Sequence, residues 1–391
     1  MSGTEIRAEA RRVLAICDAC GYCNGFCDLF EAARRRPALT DADLVHLANL
    51  CHACRNCFHA CQYAPPHVFA VNVPRVLARL RHQSYRDPVW PNAFATFLDR
   101  PIATVVGVTL GAILWLFALA LTFAPTESWL LAGLEPGAFY RVLPWELMVW
   151  LGVLPLIWSA LAIGIGWRRY WRLTRPSERF PAPRALRSAL IDILDLRNLR
   201  GGGPGCNDLD AHFSPWRRRL HQTLLGGLGL SFAATLAATL YHHGLGLEAP
   251  YPLMSAPVLL GTLGGIALVV AVLGLMWIEW RADPEPIAPE SRRLDRAFLG
   301  LLLLVATSGL VLLVWRATPA MAPDAAPKVV GLPSLIHSIR VHMAMPAMPP
   351  RWVATKAVAA TSLAAKALPP LNPNQPNHNR PVPSMVMGRL W

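Results

Sequence analysis

Hydrophobic positions along this chain fall into two regimes. From about residue 101 onward they form nearly uninterrupted runs, at 101–124, 145–167, 220–242, 254–279 and 297–315. Each run approaches or exceeds the roughly 20 residues that carry a helix across a hydrocarbon core. They show almost no polar stripe, which suits helices surrounded by lipid and by one another. Before residue 101 the pattern is shorter and mixed. Thr4 predicts the cap of a first helix reaching about Ile16. Thr40 and Asp41 predict the start of a second, carrying Leu44, Leu47 and Leu50. Pro74 opens a third, ending near Gln83. The expected fold class is therefore all-α: a soluble helical domain over 1–100, a membrane bundle of five transmembrane helices over 101–316, and a tail over 317–391 of different character.

Composition agrees with lipid as the solvent for the second half. Hydrophobic residues make up 54% of the 391 and charged residues only 16%. The formal net charge of +13 is the usual mark of basic loops facing the cytoplasm and lipid headgroups, so no nucleic-acid partner is expected. Twelve arginines lie in 168–219, and Arg281, Arg292, Arg293 and Arg296 lie in 281–296, whereas 125–140 and 244–253 carry no Lys or Arg. The positive-inside rule then puts the Arg-rich loops, and with them the N-terminal domain, on the cytoplasmic side of the inner membrane. Residues 1–16 are charged and polar, without the apolar core of a signal peptide.

The chemistry is concentrated in cysteines, of which eight of nine lie between Cys17 and Cys61. Cys17, Cys20, Cys23 and Cys27 form C-x2-C-x2-C-x3-C, and Cys51, Cys54, Cys57 and Cys61 repeat it. This is a ferredoxin-type run, in which three close cysteines hold a cubane and the fourth binds the other cluster. Cys17, Cys20, Cys23 and Cys61 are thus assigned to one [4Fe–4S] cluster, and Cys51, Cys54, Cys57 and Cys27 to a second. Asp28 and Gln62 stand where a proline usually follows the fourth cysteine. Structural zinc is the competing reading, but it usually takes two C-x2-C pairs far apart in sequence. Free thiolates also require a reducing compartment, which again points to the cytoplasm. Cys206, in Gly201-Gly202-Gly203-Pro204-Gly205-Cys206, matches no phosphate loop and reads as a tight turn at the membrane surface.

Histidine raises the question of haem b. His221 opens the third span and His242 and His243 close it, roughly 31–33 Å apart at about 1.5 Å per helical residue, so they cannot share one haem. Intramembrane histidine is a functional candidate by default, yet a histidine at a helix end also sits comfortably in the interface. Partners would have to come from His212 or from His337 and His342. His46, His52, His59 and His67 read as surface groups or supports for the clusters. No nucleophile–base pair or carboxylate pair suggests catalytic residues.

The tail carries all three lysines (Lys328, Lys356, Lys366), no acidic residue after Asp324, and dense proline. Five spans would leave this basic tail on the wrong side for the charge rule. It reads either as an altered reading frame that has lost a sixth helix or as a natural disordered extension.

With these segments in place, residues 8–320 resemble the tricarballylate/citrate utilization protein B family. The likeness rests on the doubled cysteine run and on Leu196-Arg197-Asn198-Leu199-Arg200-Gly201-Gly202-Gly203 with Cys206. It continues through Arg218-Arg219-Leu220-His221, Ala249-Pro250-Tyr251-Pro252 and Gly261 to Gly265. The resemblance implies a membrane half like the haem-b subunit of respiratory nitrate reductase. It also implies a partner, an FAD-dependent tricarballylate dehydrogenase, whose reduced flavin is reoxidised through the clusters and haem b into the quinone pool. Two features depart from the family: Gln222 replaces a second histidine, and the last histidine-bearing helix is not found. The function expected is electron relay. The alternatives are an iron–sulfur subunit acting directly on a disulfide or organic acid, which would need a substrate pocket near Cys51–Cys61, and a membrane-bound redox sensor, which would need an output domain.

Overall fold

The structure, a computed structural model, describes residues 2–36, 38–123, 144–174, 182–201 and 205–317. The tail from 318, with His337 and His342, lies outside the described residues. Among those described the chain is helical throughout, with a single isolated β-bridge between Cys206 and Ser214.

Five helices form the N-terminal domain: α1 (Gly3–Cys20), α2 (Asp28–Arg34), α3 (Asp41–Leu50), α4 (Asn56–His59) and α5 (Val73–Arg86). Local chemistry sets their starts. Ser2, not Thr4, caps α1: its hydroxyl accepts from the Glu5 amide, and the Glu5 carboxylate accepts from the Ser2 amide at 2.7 Å. This reciprocal pair needs an acidic residue three places on, which Ser2 has and Thr4 lacks. Thr40 and Asp43 make the same box at α3, and Asn72 caps α5 with Pro74 in the first turn. α1 runs four residues beyond the expected Ile16 and stops at Gly21, whose φ of 68° closes the helix. Leu14, Leu29, Leu44, Leu47, Leu77 and Leu80 interlock in one core, each worth about 1.5–3 kcal/mol of burial. Cysteines from both runs pack directly against it.

Each apolar run lies in one long helix, to within a few residues at most ends. These are α6 (Pro101–Phe123), α7 (Trp145–Thr174), α9 (Trp216–Thr239, prolonged by a π turn Leu240–Gly244), α10 (Ala256–Arg281) and α11 (Pro289–Ala317). α8 (Ala182–Asp195) is a shorter helix between them. The five are long and apolar enough to cross a membrane, and they leave large side chains such as Leu114, Trp115, Trp150 and Val270 exposed, as lipid contact requires. α9 and α10 approach most closely at Gly227 and Gly264. A Cβ on Gly264 would stand 2.8 Å from Ser231 Oγ and 2.9 Å from the Gly227 carbonyl. The close contact is thus at Gly264, whereas Gly261 has only an ordinary 3.7 Å neighbour in Ala234.

The N-terminal domain sits on one end of this bundle, the end from which the Arg-rich segments emerge. Asn72 donates to the Glu285 carbonyl at 3.0 Å and the Asp283 amide donates to the Leu209 carbonyl at 3.0 Å. Arg169 of α7 donates to the Val89 carbonyl at 3.0 Å. At the same end, Glu279 of α10 receives Arg292 at 2.6 Å and Arg296 at 2.9 Å, both from α11.

Candidate metal centre

The two cysteine runs wind into equivalent loops. Gly21 and Arg55 each lie four residues after the first cysteine of their run, and both adopt left-handed backbone, with φ of 68° and 66°. An arginine there carries a strain of roughly 1–2 kcal/mol that glycine avoids. Its side chain is tied across the domain interface, donating to the Asp208 carbonyl at 2.7 Å.

Side chains gather as three from one run and the fourth from the other. Cys17, Cys20, Cys23 and Cys61 are close electrostatic neighbours, and Cys27, Cys51, Cys54 and Cys57 form a second such set. The first four line a cavity of about 260 Å³ together with Cys57, Phe30 and Tyr63. Burial, and then neighbouring thiols, pushes Cys17 and Cys27 up to about 12 and Cys23 up to about 11. Thiols so placed hold their protons until a positive centre displaces them. Among the described residues no three Cys, His, Asp or Glu groups converge tightly enough for a single ion. Four cysteines around an open cavity fit an iron–sulfur cluster, which takes cysteine thiolates as its ligands.

The second set faces the bundle and is held by cationic and amide donors. Arg81 donates to the Cys51 carbonyl, Arg217 of α9 to the Ala53 carbonyl at 2.8 Å, and the Asn207 amide to the Cys54 carbonyl at 3.0 Å. Asn56, 3% exposed, donates to the Gly205 carbonyl at 3.0 Å and accepts from the Asn207 amide at 3.1 Å. Gly201 and Gly205 are structural. A Cβ on Gly201 would lie 2.5 Å from Asn56 Nδ2 and 2.1 Å from the Gly205 carbonyl oxygen.

Cys206 lies in the loop between the cysteine domain and the spans, buried against the cysteine domain. It is 0% exposed and lies beside Cys54, a proximity that draws the Cys54 thiol down and pushes Cys206 up. Its S–H donates to the Leu199 carbonyl at 3.4 Å. The loop folds back onto the cysteine domain because Asn56 and Arg55 offer partners to its backbone. Nothing in the local pattern around residue 206 signals this.

The histidines separate into two ends. His242 and His243 occupy the π turn far from the cysteines, where Trp145 stacks on His242 at 5.9 Å and meets His243 edge-on at 5.6 Å. His221 lies at the near end, its Nδ1 2.7 Å from the Arg217 carbonyl. It lines a large cavity together with His52, so His52 is no surface group. His212 is exposed and pairs with Asp210 at 2.9 Å.

Residues 10–87 match the family model described as the citrate utilization protein B Fer4-like domain, and residues 99–323 match that of citrate utilization protein B. A curated Escherichia coli protein, "Citrate utilization protein B", is 41% identical over 299 residues, covering 76% of this chain and 77% of its own length. No solved structure matches. With both halves matched in order and this relative alike over most of its length, the chain belongs to the citrate utilization protein B family.

Proposed function

We propose that this protein is the membrane electron carrier of a citrate- or tricarballylate-type oxidation. It takes electrons from the reduced flavin of an FAD-dependent dehydrogenase and passes them to the quinone pool, with its N-terminal domain in the cytoplasm at the inner membrane. The observation that carries this reading is the pair of four-cysteine sets packed against the end of five apolar helices. Cys17, Cys20, Cys23 and Cys61 would hold one [4Fe–4S] cluster and Cys51, Cys54, Cys57 and Cys27 the other. The clusters would supply one-electron storage at two adjacent points. The protein's own part is to bury those points, to fix the second against the bundle through Arg81, Arg217 and Asn56, and to set its potential with nearby donors. His221, or His242 with His243, would be the haem b ligands if that group is bound.

Anaerobic purification tests the reading. About eight irons and eight acid-labile sulfides per chain are expected for two cubanes. Cys20→Ser or Cys54→Ser should abolish electron flow from the flavoprotein while membrane insertion is unchanged. Zinc without labile sulfide would overturn the proposal, and the same optical spectra show whether haem is present.

A further inference from the structure

A cavity of about 470 Å³ lies where the cysteine domain meets the spans. Its roof includes Cys51, His52 and Arg81 of the cysteine domain. Its floor is apolar, built from Val105 of α6, Leu224 of α9, Leu275 of α10 and Phe298 of α11. Four membrane helices therefore contribute one wall and a cysteine of the second set the opposite one.

Its rim is charged, with Arg55, Asp192, Glu279, Arg292 and Asp295, and two imidazoles, His52 and His221, also line it. Nδ1 of His52 lies 2.7 Å from the Leu50 carbonyl, and Nδ1 of His221 lies 2.7 Å from the Arg217 carbonyl. A carbonyl oxygen only accepts, so each Nδ1 carries the proton and each Nε2 keeps its lone pair. Both imidazoles line the cavity, and an Nε2 turned toward it would offer an occupant an acceptor. Arg81 and Arg217 also line the cavity but give donors to backbone carbonyls of the cysteine loop.

We propose that this cavity binds the head of a quinone, with the isoprenoid tail leaving between the spans; the inference rests on the electron-carrier reading above. The volume and the apolar floor match the usual anatomy of a small-ligand site. Acceptor nitrogens so turned would suit the hydroxyls of a quinol, and an acyl chain would leave them without partners. Position supplies the rest, since the occupant would lie against the Cys51 loop. If the two cysteine sets hold clusters as proposed, each cluster would supply one electron to the quinone, which with two protons from water on the Arg-rich side would become the quinol; the reduced flavin of the flavoprotein would be the reductant that refills them.

The test uses the full chain in nanodiscs with a short-tail quinone and an azido-quinone for photolabelling. Val105→Trp and Leu301→Trp fill the cavity from its membrane wall, away from the cysteines. Each should weaken quinone binding at least tenfold and remove the photolabel from α9 and α11, with iron and sulfide content unchanged. Wild-type affinity in both variants, or labelling confined to other helices, would overturn the site while leaving the carrier reading intact. A Soret band lost in His221→Leu would show haem in this cavity and overturn it likewise. Loss of the clusters themselves in the wild type would sink the carrier reading instead.

Discussion

Replacing Cys206 with alanine should lower the potential of one cluster and leave the other alone. In the structure the Cys206 side chain lies beside Cys54, a member of the second cysteine set, and is 0% exposed; its S–H, turned to the Leu199 carbonyl, has only to rotate about the Cβ–Sγ bond to donate to a Cys54 thiolate. Water therefore cannot replace the lost donor. A hydrogen bond to a charged acceptor contributes about 1.5–3 kcal/mol, and a thiol, being a weak donor, belongs near ~1.5. Only the part that grows on reduction moves the potential, because reduction puts more negative charge on the ligand sulfur. Taking about half of the bond for that part gives ~0.7 kcal/mol, which is about 30 mV for a one-electron couple. The sign is downward, since the donor favours the more negative state. EPR-monitored redox titration under anaerobic conditions reads both clusters at once, so the first serves as an internal control. Cys206→Ser keeps a donor and should restore most of the shift. Equal shifts at both clusters, no shift at the second, or serine behaving like alanine would refute the reasoning.

Asn56→Leu removes the two side-chain bonds to the 205–207 turn while the Asn207 amide keeps the Cys54 carbonyl, and should cost about 1–3 kcal/mol for the buried Gly205 carbonyl left unpaired. Limited proteolysis near residue 205 should accelerate, and wild-type rates would count against the docking described. Gly264→Leu forces a side chain where a Cβ already meets Ser231 and the Gly227 carbonyl within 3.0 Å; a loss of about 1–3 kcal/mol from overpacking should appear as a lower melting temperature in detergent, and none is expected for Gly261→Ala. His46 has its pKa lowered by burial, with Asp43 opposing and Arg36 reinforcing the shift. The unfolded chain then binds a proton first as pH falls through the ordinary histidine range, so stability is full above that range and declines below it. His46→Gln should flatten the melting temperature between about pH 7.5 and 5.5, and an unchanged slope would remove His46 as its source.

Much of this architecture is written locally. The apolar runs announce the five long helices because lipid demands hydrophobic side chains around the whole circumference, a signal that needs no knowledge of neighbours. The doubled cysteine spacing is equally local. The cap of α1 was also readable, since Ser2 has Glu5 three places on, but Thr4 is the more familiar choice just before the apolar positions. Cys206 and His52 were not legible. Cys206 meets Cys54 across about 150 residues of intervening chain, and only the glycines at 201 and 205, which leave no room for side chains, hint that another backbone approaches. His52 follows a cysteine in sequence and looks like an accessory to it. That it shares a cavity with His221 depends on how α9 tilts against the cysteine domain, which no spacing rule encodes.

The two cysteine sets do not meet the outside world alike: Cys20 is exposed, while the Cys51 loop is clamped beneath Arg81 and Arg217. If the two sets hold clusters as proposed, a donor in solution would meet the one that includes Cys20 first, while the one under the Cys51 loop would lie nearer the spans, so the order of the two stations along the path would follow from which face each presents.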